Sequence, residues 1–369
     1  METRNLFERG GLSLDLHDHP PENAIDHLQR SVMGTEGKTR YRHHGNHDRI
    51  HKQLDPNFLT LQKGGKLMGV ILFSRRQIAQ PSGPAEAFYI RYLSMLSTLR
   101  RQNVKGGESR KRSDGLIKKM VARLMNKPAD MNVVPGNGPE NGLFYAYVES
   151  GNDRSMELTQ AMGFEPVGTF STVLFSRFNP KSCDSAEELR PEDLEEVRAK
   201  THHFYRDHAL FSDKNIFREG RYFAYRDGGE IVAGIKAFPC HWEIFEMAGL
   251  SGKLILSLLP KIPVINRLFN PGAFKFLAFE GLWHLPGYEN RLFELMEHAL
   301  SEMGQYTGML WLDRRSPLNP VIRGGHLGIL QHLQSDTPAD VIARFEGVEE
   351  SVRKDIREKP LYISAFDSI

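Results

Sequence analysis

Phe144-Tyr145-Ala146-Tyr147-Val148 leads into Glu149-Ser150-Gly151-Asn152 and then, after one short periodic stretch, into Gly163-Phe164. The fold of this chain is decided here. The aromatic, β-branched run 144–148 predicts a strand, and Ser150-Gly151-Asn152 predicts a turn. Leu158, Ala161 and Met162 fall on one face of a helix, and Gly163 stands where a C-terminal capping glycine would end it. Strand, turn and amphipathic helix in that order give one compact βα unit.

Outward from this unit the chain divides near residues 179–185, a polar segment with turn residues between two periodic regions. The same pattern recurs on both sides. Residues 58–65 run through Gly64-Gly65 into 66–73, and residues 222–229 run through Gly228-Gly229 into 230–235. Each pair reads as a hairpin around a tight glycine turn. A helical stretch precedes each hairpin, at about 21–32 and 191–208. A strand and a helix follow each, at about 88–99 and 116–125 in the first half and about 274–279 and 289–303 in the second. Leu116, Ile117, Met120, Val121 and Leu124 form one apolar stripe; Leu292, Leu295, Met296 and Leu300 form another. Alternating strands and helices predict a mixed sheet covered by helices, and the recurrence suggests duplication.

The strand–Asn–helix–Gly-Phe unit resembles the signature of the GNAT superfamily of acyl-CoA N-acyltransferases. The resemblance implies an α/β chain of two tandem GNAT-like domains, each a mixed, mostly antiparallel sheet covered by helices. Residues 1–180 would form a domain with an acyl-CoA site, and residues 181–369 a second, degenerate copy. Between the strand and helix of the first half lies a loop, residues 100–115, with six Lys or Arg against Glu108 and Asp114. Its glycines would let backbone N–H groups approach a pyrophosphate, and the following helix would aim its positive end at the same anion. Arg110-Lys111-Arg112-Ser113-Asp114-Gly115 resembles the GNAT Arg/Gln-x-x-Gly-x-Gly/Ala loop, with Ser113 in place of the first glycine. The cofactor-binding residues implied are Leu99, Arg100, Arg101, Arg110, Lys111, Arg112, Ser113, Asp114, Gly115 and Asn152, with acetyl-CoA or another acyl-CoA as cosubstrate. A solvated basic loop also fits these charges; a nucleic-acid patch would add interleaved aromatics, which are absent. The matching loop of the second half, 280–288, has no Lys or Arg, so one working site is expected.

Acyl transfer to an amine needs a base for the ammonium proton and often an acid for the leaving thiolate. Many GNAT enzymes supply the acid from a tyrosine four residues before the glycine of the Gly-Phe pair; here that residue is Thr159. The strand at 88–99, where the superfamily often carries a carboxylate, contains no Asp or Glu. Glu149 is then the nearest candidate base, with Tyr147 as a hydroxyl neighbour. A solvated surface role for Glu149 stays open. A free carboxylate at Ile369 is a further candidate, because some tandem GNAT-like enzymes use theirs.

Composition narrows the surroundings. The net charge of +2 gives no global pull toward nucleic acid. Cys183 and Cys240 are the only cysteines, too few for a disulfide framework or a thiolate zinc site, which points to a reducing cytoplasm. Residues 1–10 show no signal peptide, and charges and prolines break the apolar stretch 254–279, so no membrane span is expected. The segment 247–274 suits packing on its own domain or a dimer interface, with an acyl-chain channel or a peripheral membrane contact as sharper options. His43/His47 and His47/His51 have i, i+4 spacing, but Gly45-Asn46 interrupts the helix they would need, so no metal site is expected. The expected function is N-acyl transfer, first of acetyl, to a small amine or amino-acid-like acceptor. The alternative is a non-catalytic acyl-CoA-binding or scaffold protein of the same fold.

Overall fold

The computed structural model describes residues 2–45, 47–95, 118–247, 249–258, 261–333 and 338–368. Fourteen strands form one sheet among these residues. In chain order they are β1 (Thr3–Arg9), β2 (Leu12–His17), β3 (Arg40–His43), β4 (Pro56–Lys63), β5 (Lys66–Ile78), β6 (Ala85–Met95), β7 (Gly142–Glu149) and β8 (Glu165–Ser176). The rest are β9 (Ala186–Glu188), β10 (Arg221–Asp227), β11 (Glu230–Glu246), β12 (Phe274–His284), β13 (Thr307–Asp313) and β14 (Pro338–Glu346). The order across the sheet is β1-β2-β4-β5-β6-β7-β14-β8-β13-β12-β11-β10-β9, with β3 paired to the far end of β11.

The architecture is the α/β, mixed and mostly antiparallel sheet read from the sequence. Both glycine hairpins form as expected. Gly64 and Gly65 have φ of 56° and 75°, and Gly228 and Gly229 have φ of 55° and 91°, the backbone that a two-residue hairpin turn demands. A third hairpin, β1–β2, occupies residues 3–17, which the sequence reading left unassigned.

Each half carries one parallel pair, β6 with β7 and β12 with β13. The centre of the sheet is exchanged between halves. β14, from the end of the chain, pairs with β7 along residues 142–149 and with the first part of β8. The second part of β8 pairs with β13. Leu143, Tyr145 and Tyr147 of β7 pack into one core and Phe144, Ala146 and Val148 into another, so both faces of this central strand are covered.

Two expectations need correction, and a third is specified. The strand expected at 274–279 continues to His284, because Gly281 (φ 61°) sits in a β-bulge rather than a loop, with Leu282 and Trp283 buried beyond it. The connection into the helix Arg291–Glu302 is therefore 285–290. The helix after β7 covers Asp153–Gln160 and stops before Ala161, which is exposed. Met156 and Met162, rather than Leu158 and Ala161, pack against the core. The apolar segment 247–274 forms helices Gly249–Leu258 and Pro263–Leu268, and its Ile255, Leu256, Leu268, Phe269 and Phe274 pack on the sheet. No helix among the described residues is long and apolar enough to cross a membrane.

Candidate active site

The parallel strands of the first half part company early. β6 and β7 are in register only at Ala87/Leu143, Phe88/Phe144 and Tyr89/Tyr145, after which each follows its antiparallel neighbour. Three residues past the parting, Tyr92 has φ of 56°, and Tyr92 and Leu93 together stand opposite the single residue Ile71 of β5. This is a β-bulge, and it turns backbone groups out of the ladder. The second half repeats the device. β12 and β13 are in register at Leu277/Gly308 and Ala278/Met309, and three residues later Gly281 and Leu282 stand opposite Ile235 of β11. Glycine takes the positive φ of the second bulge without cost, whereas tyrosine in the first is strained. Strain of this kind gathers at functional sites.

What fills the two partings differs. Residues 360–363 of the C-terminal segment enter the second one. The backbone of Ala209 bonds to Pro360 and Tyr362, and Leu361 N–H donates to Asp313 Oδ2 at 3.1 Å. Tyr362 Oη and Ser364 Oγ both donate to Glu280 Oε1, at 2.9 and 2.7 Å. Tyr362 and Ile363, with Phe279, Glu280, Leu310 and Leu312, line a small cavity that remains between β12 and β13. The Glu280 carboxylate, 2 % exposed, also lies 3.9 Å from the buried Lys236 ammonium. The segment then crosses to the first half. Arg91 Nη1 donates to Phe366 O at 2.8 Å, and Tyr89 Oη donates to Asp367 O at 2.9 Å. Arg76 binds both Asp367 oxygens, at 2.8 and 3.0 Å.

The sequence-predicted residues divide into those placed here and those outside the described residues. Tyr147 and Glu149 share one face of β7 with Tyr145, on the side of Tyr89 and Asp367. Glu149 Oε2 accepts the Thr35 N–H at 3.2 Å. The Tyr147 ring lies 5.2 Å from Tyr89 and 5.0 Å from Phe170, and its buried hydroxyl has no partner among the described residues. Burial pushes the Tyr147 phenol well above its ordinary pKa, and nearby Asp367 adds to the shift. Burial likewise pushes Tyr41 up to about 12, where Arg91 and Glu149 act on it in opposite senses. Neither phenol is ionised near neutrality. Asn152 caps the Asp153–Gln160 helix, its Oδ1 accepting the Ser155 N–H at 3.1 Å. The Thr159 hydroxyl donates back to Ser155 O and Met156 O, so it is engaged within its own helix. Leu99, Arg100, Arg101, Arg110, Lys111, Arg112, Ser113, Asp114 and Gly115, and Ile369, lie outside the described residues.

The sequence reading missed Arg76, Tyr89, Arg91, the Tyr92 bulge and Asp367. One signal was available: Arg75-Arg76 interrupts an otherwise apolar strand, and a buried arginine needs a carboxylate. The histidines also separate. His43 is buried, and His47 and His51 face each other on the helix His47–His51 with ring centroids 4.5 Å apart. Among the described residues, no three His, Cys, Asp or Glu are grouped so as to hold a metal ion.

A parallel pair that parts beside a bulge, once in each half of one continuous sheet, can be compared with solved structures. The structure of Saccharomyces cerevisiae N-myristoyltransferase with bound myristoyl-CoA superposes over 98% of this chain and 91% of its own, with a TM-score of 0.58 and 10% identity. A second structure of that enzyme, with bound myristoyl-CoA and inhibitors, covers 97% of this chain and 88% of its own, with a TM-score of 0.55 and 10% identity. This is a tandem GNAT fold. No family model and no curated protein sequence matches the chain, so the tandem GNAT fold is recognisable in the structure at an identity where alignment of the sequence fails. Acyl-CoA N-acyltransferases have this fold.

Proposed function

We propose that the protein is an acyl-CoA-dependent N-acyltransferase with one working site, in the half formed by residues 1–180. The observation that carries this reading is the strained Tyr92 bulge where β6 and β7 part, set against a second copy, 181–369, whose bulge holds glycine and whose parting is lined by the chain's own residues 361–363. A backbone N–H released from the ladder at Tyr92 or Leu93 would meet the thioester oxygen and stabilise the oxyanion that forms there. The amine nitrogen attacks the thioester carbon, a C–N bond forms, the C–S bond breaks, and the surplus proton on nitrogen passes to the leaving thiolate. Glu149 takes the ammonium proton, and the neutral Tyr147 hydroxyl offers a hydrogen bond close by. Asn152 holds the start of the helix after β7, and the 100–115 loop would supply charge to the pyrophosphate. The acceptor is a small amine or amino-acid-like compound, and the setting is cytoplasmic. Acetyl-CoA is the first donor to test. Myristoyl-CoA is the second, because the similar enzyme structures hold it.

The engaged Thr159 hydroxyl favours a second reading, a non-catalytic acyl-CoA-binding protein of the same fold. Release of free thiol from acetyl-CoA or myristoyl-CoA across a panel of primary amines separates the two. Amine-dependent release supports the enzyme; binding without release supports the second reading.

Two further outcomes are expected. Calorimetry should give one CoA per chain, because Leu361 and Tyr362 bond to both strands of the second parting and residues 280–288 carry no Lys or Arg; two per chain would show that the second half binds CoA as well. Arg110→Ala with Arg112→Ala should weaken CoA binding by roughly 1.5–3 kcal/mol for each charge-assisted contact removed. Unchanged affinity would move the pyrophosphate away from that loop.

A further inference from the structure

Residues 361–367 are held by five separate polar anchors, most of them far apart in sequence. They are Asp313, Glu280, Arg91, Tyr89 and Arg76. The last is the most demanding. The side chains of Arg76 and Asp367 are 7 % and 2 % exposed, and both carboxylate oxygens are bound by the guanidinium. The guanidinium carbon also lies 5.2 Å from the Tyr89 ring and 5.9 Å from the Tyr145 ring, the last residue pair in register before β6 and β7 part.

Stability does not account for such a pair. Desolvating both charges offsets most of their attraction, and apolar side chains of similar volume commonly hold a fold as well or better. What a bidentate, buried pair supplies is position. Its geometry tolerates one arrangement, and it fixes a segment that bonds to β6 at two points along the strand: Tyr89, where β6 and β7 part, and Arg91, between that point and the Tyr92 bulge.

We propose that Arg76 and Asp367 form a latch that sets residues 366–368 against the mouth between β6 and β7, and that both are positioning residues for acyl transfer. The proposal rests on the N-acyltransferase reading above. The latch shapes the acceptor side of the mouth, where Tyr147 and Glu149 share the face of β7 that looks toward Asp367. It makes no demand on the cofactor loop. A displacement of about 1 Å at a reacting centre can lower turnover by about 10²-fold.

The test is the double variant Arg76→Met with Asp367→Leu, which replaces the ion pair by apolar volume and leaves no uncompensated charge. It should remain folded, with acetyl-CoA affinity by calorimetry unchanged. Its kcat should fall about 10²-fold, measured by thiol release from acetyl-CoA with the primary amine that the wild type uses fastest. Hydrogen exchange at residues 361–368 should quicken. Arg76→Lys, which keeps the charge but loses the fork, should fall between the two in kcat. Wild-type kcat in a double variant whose tail exchanges faster would overturn the positioning role. Unchanged exchange in the double variant would overturn the latch itself, whatever happens to turnover. If the wild type binds acetyl-CoA but acylates no amine, the N-acyltransferase reading fails and the positioning role fails with it. The exchange data still decide the latch.

Discussion

Glu149→Gln is expected to lower turnover by about 10²–10⁴-fold while acyl-CoA affinity stays nearly constant. The substitution keeps the shape of the side chain and removes its ability to accept a proton from the incoming ammonium. Two carboxylates stand on this side of the parting, and their surroundings separate their roles. Both oxygens of Asp367 are bound by Arg76, so that carboxylate is committed. Glu149 is half-buried and accepts the Thr35 N–H on Oε2. It stands at the last position of β7, on the face shared with Tyr147. The effect should appear in kcat and kcat/KM together, because the lost interaction is made as the proton moves. Normal turnover in the variant, measured by thiol release, would clear Glu149 of the role.

Such a test could be designed from the sequence because Glu149 lies in the segment that the sequence states most clearly. Strand, cap and helix between 144 and 164 depend on near neighbours: alternation in β7, Asn152 capping Ser155, and Gly163 at φ 84° with Phe164 N–H bonded back to Thr159. The two glycine hairpins are legible for the same reason. The rest depends on pairing across long separations. A bulge is a property of two strands, so nothing in Tyr92-Leu93 announces that they share one partner, and Gly281 reads as a loop until β11 is laid beside it. The exchange of β14 and β8 follows from which edges meet, which local pattern does not encode. Arg76 and Asp367 lie 291 residues apart, and Ala365-Phe366-Asp367-Ser368 read alone looks like an ordinary chain end. The elements were therefore readable, while the geometry of the candidate site, which lies between elements, was not.

Acid should weaken the fold in part through His208, at the second parting. His208 lines that space with Tyr205, Glu280, Asp313, Ser316 and Tyr362, and only 2 % of it is exposed. Its Nε2 is 3.5 Å from Ser316 Oγ, and its buried Nδ1 has no partner among the described residues. Burial lowers its pKa to about 4, although Asp313 and Asp207 pull the other way. In the unfolded chain a histidine titrates near 6.5. Between those two values the unfolded state binds the extra proton, so stability is complete above about pH 6.5 and declines as pH falls toward 4. The difference corresponds to about 3 kcal/mol from this residue. Burial lowers the pKa of His17 and His43 in the same direction, which steepens the decline. Urea unfolding followed from pH 7 to pH 4 should show this loss in the wild type and a curve flatter by about 3 kcal/mol in His208→Gln. Equal slopes in the two proteins would mean that His208 is solvated or already charged in the native state.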